Sequence, residues 1–235
     1  MRWSLSAMLF ALATLAAAPA AAERPILLEL FTSQGCSSCP PADRLLADLA
    51  KQPGVLALAF HVDYWDRLGW KDPYASPEWT ERQRSYGGRL TGSRYAGQIY
   101  TPQLVIDGRL DAVGSDAAAI RQALIRARSE AIDVGVSLTY RQGGLRAAAQ
   151  ASAYKEAKLL LIVVDPPRVT RVVRGENAGQ SLREARIVRR LDVLGDYVGA
   201  DLDLAIADPR AEPGQTLALI LQRPDGSLIG TAALN

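Results

Sequence analysis

Cys36 and Cys39 are the only cysteines of the 235-residue chain, and Ser37-Ser38 separates them. Two thiols three residues apart can form, open and exchange one disulfide. The strand-like run before them and the helical pattern after them place Cys36 where free backbone N–H groups and the positive end of a helix dipole converge. A thiolate is stabilised there, so Cys36 is predicted to be the nucleophile, with a lowered pKa. Cys39, about one helical turn on, is predicted to resolve a mixed disulfide. Two other uses of the same pair stand beside this one. An inert structural disulfide, in a non-catalytic binding module whose β-rich half does the work, is the plainer reading. A Cu(I) site built from Cys36, Cys39 and His61 is the other, because soft thiolates select that ion. Both methionines, Met1 and Met8, precede residue 22, so a methionine-rich copper site is not expected. His61 is the only histidine, which excludes a multi-His centre.

The elements that must position these residues follow from pattern. Pro25–Thr32 is a near-continuous apolar run suited to a strand covered on both faces. Leu45, Leu46 and Leu49 share a helix face after the motif, and Pro40-Pro41 fit its first turn. Val55–Val62 is a second buried strand, giving a right-handed βαβ unit. His61 ends that strand on the motif's edge of the sheet, where it either favours the Cys36 thiolate or serves only as a hydrogen-bonded strand end. Residues 63–100 then form a polar and aromatic insertion with a helix from about Ser76 to Tyr86. It holds Trp65, Trp70 and Trp79, which line a groove for an extended peptide or pack a small helical subdomain. Gln103–Ile106, the turn Asp107-Gly108 and Arg109–Val113 read as a hairpin. Ser115 caps a helix over about Asp116–Ala131.

Beyond Ile132 the apolar period changes to two. Strands are expected at residues 145–151, 158–164, 169–174, 201–207, 216–222 and 227–234, with 182–194 read as strand for its Ile-Val-rich centre. Many short strands between turn residues suggest a sandwich of about 100 residues. The arginines of this half read as a solvated face. The loop Arg174-Gly175-Glu176-Asn177-Ala178-Gly179 stands out as a segment that could contact a partner.

Twenty-seven basic against 25 acidic residues leave a formal charge of +2, so no basic excess points to nucleic acid. Met1-Arg2, the apolar stretch Leu5–Ala18 and Ala20-Ala21-Ala22 read as an export signal over residues 1–22. The expected location is therefore periplasmic or secreted, with no membrane span after cleavage. That compartment is oxidising, so the pair has a choice of redox state.

The segments Leu27–Asp43, Phe60–Trp65 and Tyr100–Gly108 resemble the thioredoxin superfamily. They are most similar to a family of secreted bacterial thioredoxin-like proteins known only as a domain of unknown function. The resemblance implies an α/β thioredoxin-like domain over residues 23–131, with a helical and aromatic insertion at about 63–100, followed by an all-β sandwich-like domain over 132–235. It implies attack by Cys36, resolution by Cys39, and a cis peptide at Thr101-Pro102 facing the disulfide. Glu29 resembles the buried acid beneath the second cysteine that shuttles its proton, although it stands one residue further from the first cysteine. Gly35 replaces the usual aromatic residue before the motif, and Ser37-Ser38 matches neither the reducing nor the strongly oxidising members. The expected activity is thiol–disulfide exchange on exported protein or small-molecule thiols, without a cofactor.

Overall fold

Ile26–Thr32 (β1) is buried along its whole length and pairs in parallel with Val55–His61 (β2), from Ile26 opposite Val55 to Thr32 opposite His61. Pro40–Leu49 (α1) makes the crossover, with Pro40 and Pro41 in the first turn, where no intrahelical N–H bond is lost. The computed structural model describes residues 24–90, 95, 97–132, 134–141 and 144–234. The export segment at 1–22 lies outside them, as do residues 91–94 and 96 of the insertion.

The insertion contributes one short 3₁₀ turn, Asp66–Leu68, and one α-helix, Pro77–Tyr86 (α2), whose N-cap Ser76 accepts from the Glu78 N–H at 3.1 Å. Gln103–Ile106 (β3) runs antiparallel to β1, and Leu110–Val113 (β4) returns beside it through Asp107-Gly108. Both turn residues have positive φ, 53° and 69°, as a two-residue hairpin of this hand requires. Ala117–Ser129 (α3) is capped by Asp116, whose carboxylate accepts from Ala118 and Ala119, and not by Ser115. The first sheet has the order β2-β1-β3-β4. Its Leu28, Leu30, Leu104 and Ile106 face Leu46 of α1 and Ile120 and Leu124 of α3.

The other face of that sheet is covered by a second sheet. Val136–Arg141 (β5) and Gly144–Ala149 (β6) are followed by Ala157–Val164 (β7), the hairpin Arg168–Arg171 (β8) and Ser181–Glu184 (β9), then Val188–Tyr197 (β10), Leu202–Ile206 (β11), Thr216–Gln222 (β12) and Leu228–Leu234 (β13). The second sheet has the order β10-β7-β12-β13, and a third, β11-β6-β5, lies beyond it. Alternate residues of β7 separate the two interfaces. Leu160, Ile162 and Val164 join Leu27, Phe31, Leu58 and Phe60 of the first sheet, while Leu159, Leu161 and Val163 join Leu138 and Ala147 of the third. A strand buried on both faces explains the unbroken apolar run of β7. The Phe31 and Phe60 rings stack at 5.5 Å in the first of these cores. Fully burying one such ring is worth about 2–3 kcal/mol.

The molecule is therefore mostly β, with thirteen strands and three α-helices among the described residues. That overturns the expected α/β thioredoxin-like domain with a helical insertion followed by a separate all-β sandwich. The physical reason lies in β1 and β2. Their run of buried residues signals cover on both faces but not its kind, and here α1 and α3 cover one face and the second sheet together with α2 the other. The 182–194 stretch is two strands broken at Arg186, a non-glycine residue at φ 63°. There the chain turns to lay Ile187 against the open edge of β2, with the Ala59 N–H donating to the Arg186 carbonyl at 2.8 Å. No helix among the described residues is long and apolar enough to cross a membrane.

Candidate functional site

Cys36 and Cys39 form a disulfide with their Cα atoms 5.4 Å apart, and Cys39 is the N-cap residue of α1. The loop is built by short backbone bonds: the Cys36 N–H donates to Ser33 O and the Cys39 N–H to Cys36 O. The Cys39 carbonyl then accepts from Ala42 and Asp43 as the helix begins. The Thr101-Pro102 peptide is cis, and it brings the Thr101 hydroxyl to Cys36, donating to Sγ at 3.4 Å. Trp65 in turn donates its Nε1–H to Thr101 Oγ1 at 2.8 Å, fixing that hydroxyl. Ser38 Oγ lies 3.3 Å from the same sulfur.

Gly35 has a reason to lack a side chain. A Cβ there would meet the Trp65 Cβ at 3.0 Å, so the Trp65 segment takes the space a side chain before the motif would need. The three tryptophans divide their work. Trp65 touches the site through Thr101, Trp70 donates to Gln34 Oε1 at 3.0 Å, and Trp79 packs edge-on against Phe60 in the core.

Both cysteines are 0% exposed, while Ser37 and Ser38 between them are open to solvent. The loop at 174–179 is bonded to the backbone of this turn. Asn177, 1% exposed, donates Nδ2–H to the carbonyls of Gln34 and Cys36 at 2.9 and 3.0 Å. Glu176 accepts from both the backbone N–H and the hydroxyl of Ser37, at 3.1 and 2.7 Å. Gly175 and Gly179 flank these contacts at φ 76° and 84°.

Behind the motif lies a buried charged cluster. His61, 1% exposed, holds Asp72 through Nδ1 at 2.7 Å, and that carboxylate also accepts from the Gln34 N–H at 2.8 Å. Gln34 Nε2 donates to Glu184 at 2.6 Å. Burial by itself depresses the imidazole, but the carboxylates of Asp72, Glu184 and Asp43 outweigh it and lift His61 to about 9. Burial raises Glu184 to about 7 and Asp43 to about 6, in each case against the pull of His61. Asp72 is also opposed by burial, yet His61 and its hydrogen bonds hold it below the usual carboxylate range. Among the described residues, His61 Nε2 and Glu184 Oε1 are buried without a hydrogen-bond partner.

The residues singled out from sequence thus fall into two groups. Cys36, Cys39, Thr101 and Pro102 meet at one point. His61 bonds to neither cysteine, and among the described residues no three His, Cys, Asp or Glu side chains are placed to hold a metal. Glu29 lies on the far face of its sheet. Side chains of β1 alternate, so Leu28 and Leu30 face α1, whereas Glu29 points with Leu27 and Phe31 into the other core. There it pairs with Arg82 at 2.6 Å and accepts from the Tyr86 hydroxyl. The one-residue offset from the usual acid is enough to put it on the wrong side. Asp72 and Glu184 carried no local signal, nor did Gln34 beyond its place before the motif. The glycine-flanked loop around Glu176 did.

Two solved structures resemble this one. Protein AGR_C_4864 from Agrobacterium tumefaciens is 27% identical, with a TM-score of 0.75 over 91% of this chain and 96% of that one. HBP35 of Porphyromonas gingivalis is 13% identical, with a TM-score of 0.66 over 91% of this chain and 76% of that one, and shows a shared fold. No curated protein matches the chain. Residues 27–222 match the family described as a protein of unknown function (DUF1223), and the chain belongs to that family.

Proposed function

We propose that the protein is an exported thiol–disulfide oxidoreductase, related in its motif to the thioredoxin superfamily, acting through Cys36 and Cys39 on protein or small-molecule thiols. The observation that carries this is the Cys36–Cys39 disulfide at the first turn of α1 with the Thr101 hydroxyl of a cis Thr-Pro peptide 3.4 Å from Cys36 Sγ. In the oxidising direction a substrate thiolate attacks Cys36 Sγ and the Cys36–Cys39 bond breaks. Its electron pair goes to Cys39 Sγ, which takes a proton. A second substrate thiol, having lost its proton, attacks the substrate sulfur of the mixed disulfide and releases Cys36 as the thiolate. The substrate loses two electrons and the protein gains them. The reducing direction is the reverse, with Cys36 attacking a substrate disulfide and Cys39 resolving.

The full burial of both sulfurs favours a second reading, a structural disulfide. The reduction potential of the pair decides between them. Catalytic pairs span about −120 to −270 mV, and structural disulfides lie below about −300 mV. A potential in the first range, with disulfide exchange on a reduced unfolded protein that Cys36→Ser abolishes, is the expected result. A potential in the second range, with no exchange above background, leaves the structural reading.

A further inference from the structure

On the outer side of α1 lies a cleft of about 610 Å³ between that helix and the β8–β9 hairpin. Its volume falls within the roughly 300–1,000 Å³ typical of small-molecule sites. Ala47 on α1 and Ala50 at its C-cap line it with Pro167, Leu182 and Ala185, so part of its wall is apolar and built of small side chains. Cations outnumber acids at the rim, with Arg44, Lys51, Arg183 and Arg186 against Asp43 and Asp48. Arg44, Arg183 and Arg186 line the cleft, and none has a carboxylate within ion-pair distance among the described residues. Most other arginines are paired, among them Arg82, Arg168, Arg189 and Arg210. The acids that line the cleft are already committed. Asp48 pairs with Lys51 at 2.7 Å, and Asp43 lies in the field of His61.

Arg186 is the most constrained of the three cations. Its backbone sits at φ 63°, which non-glycine residues rarely adopt, and its Nε–H is fixed on the Ala57 carbonyl at 2.9 Å. Burial disfavours its charge, yet no anion answers it. A partly desolvated guanidinium, held in place over an apolar wall with its Nη donors uncommitted, is suited to a planar carboxylate.

We propose that this cleft binds a small amphipathic carboxylate, with its hydrocarbon body against Ala47, Ala50, Pro167 and Leu182 and its head group on Arg186, flanked by Arg183 and Arg44. The site is separate from the disulfide and needs no reactive thiol, so it stands or falls independently of the redox reading.

Calorimetric titration of the full chain in its oxidised state tests it, with decanoate, decanol and decylammonium as probes below their aggregation limits, and with Cys36→Ser/Cys39→Ser as a redox-dead control. Decanoate is expected to bind saturably at one site in both proteins. Losing the ion-paired head group should weaken decanol and decylammonium by about tenfold or more. Arg183→Gln/Arg186→Gln should bring decanoate down to the level of decanol. Ala47→Phe fills the cleft without disturbing the buried face of α1, and it should abolish binding of all three probes. No saturable decanoate binding overturns the proposal. So does equal affinity for decanol or decylammonium, or binding that survives Ala47→Phe.

Discussion

Asn177 reaches back 141 residues to donate a hydrogen bond to the Cys36 carbonyl at 3.0 Å, so a loop of the β-rich half is tied to the Cys36–Cys39 turn of the other half. Its second bond, to Gln34 O, makes the same amide a clamp on both sides of the turn. Removing it leaves the buried Gln34 carbonyl unpaired, at about 1–3 kcal/mol, and leaves the Cys36 carbonyl with only the Cys39 N–H. If the sulfurs are reached by opening this loop, the open population rises by the same free energy. Asn177→Ala should therefore speed reduction of the disulfide by a phosphine about tenfold or more. Following the rate with a thiol reagent, alongside a thermal melt, separates the two effects. A lowered melting temperature with an unchanged reduction rate would show that the loop is not the gate.

Thr101 is the side chain whose hydroxyl bonds to Cys36 Sγ, and Trp65 holds it there. A hydrogen bond to the thiolate favours the charged form, so its loss raises the thiol pKa. Thr101→Val keeps the β-branched shape and removes the hydroxyl, which is both the donor to Cys36 and the acceptor for Trp65. The pH midpoint of Cys36 alkylation in the reduced protein should move up by about one unit, with slower exchange at neutral pH. An unmoved midpoint would remove Thr101 from the account of the thiolate.

Much of this arrangement was legible because its signals are local. The strand–Cys-x-x-Cys–helix pattern, Ser76-Pro77 at the start of α2 and Asp107-Gly108 between β3 and β4 each encode their geometry within a few residues. What escaped depends on packing between distant segments. The apolar run of β1 could not say that β7 and β12 cover one of its faces. Asp72, Gln34 and Glu184 come from three separate segments and follow no period, and only the folded chain puts them around His61. Ser115 and Asp116 are both good caps, and the helix begins one residue later than periodicity suggested.

The cluster around His61 makes stability depend on pH in a definite direction. Glu184 titrates at about 7 in the folded protein against 4.5 ordinarily, so between those values the folded state holds the proton more tightly and stability falls as pH rises. Asp43, raised from 3.8 to about 6, acts in the same sense over a lower range. His61, raised from 6.5 to about 9, contributes stability that is complete below 6.5 and is lost on the way to 9. Asp72 has the opposite sign, and its contribution is lost only as pH falls below 3.8. Unfolding in urea should therefore show the protein more stable near pH 5 than near pH 9, by a few kcal/mol at about 1.4 kcal/mol per pKa unit. Glu184→Gln should flatten much of the part between pH 5 and 7 and also shrink the part between 7 and 9, because Glu184 helps to lift His61. A stability curve that rises from pH 5 to 9 contradicts this assignment.

Glu29 distinguishes a structural acid from a proton shuttle. It is 0% exposed, paired with Arg82 and bonded to Tyr86, with Gln222 of β12 completing the cluster. Removing one member of a buried pair strands the other charge, at a cost of about 3–5 kcal/mol. Glu29→Ala should destabilise the protein by that order. Glu29→Gln, which keeps an acceptor for Arg82, should cost less. In both, the folded fraction should exchange disulfides at the wild-type rate with an unchanged pH profile, because the carboxylate faces the core on the opposite side of β1 from α1. Measuring exchange per folded molecule, with folding followed by circular dichroism in the same samples, makes the comparison. A shift in the pH profile for Glu29→Gln would mean that the acid reaches Cys39 by a route through the sheet, which the alternation of β1 forbids.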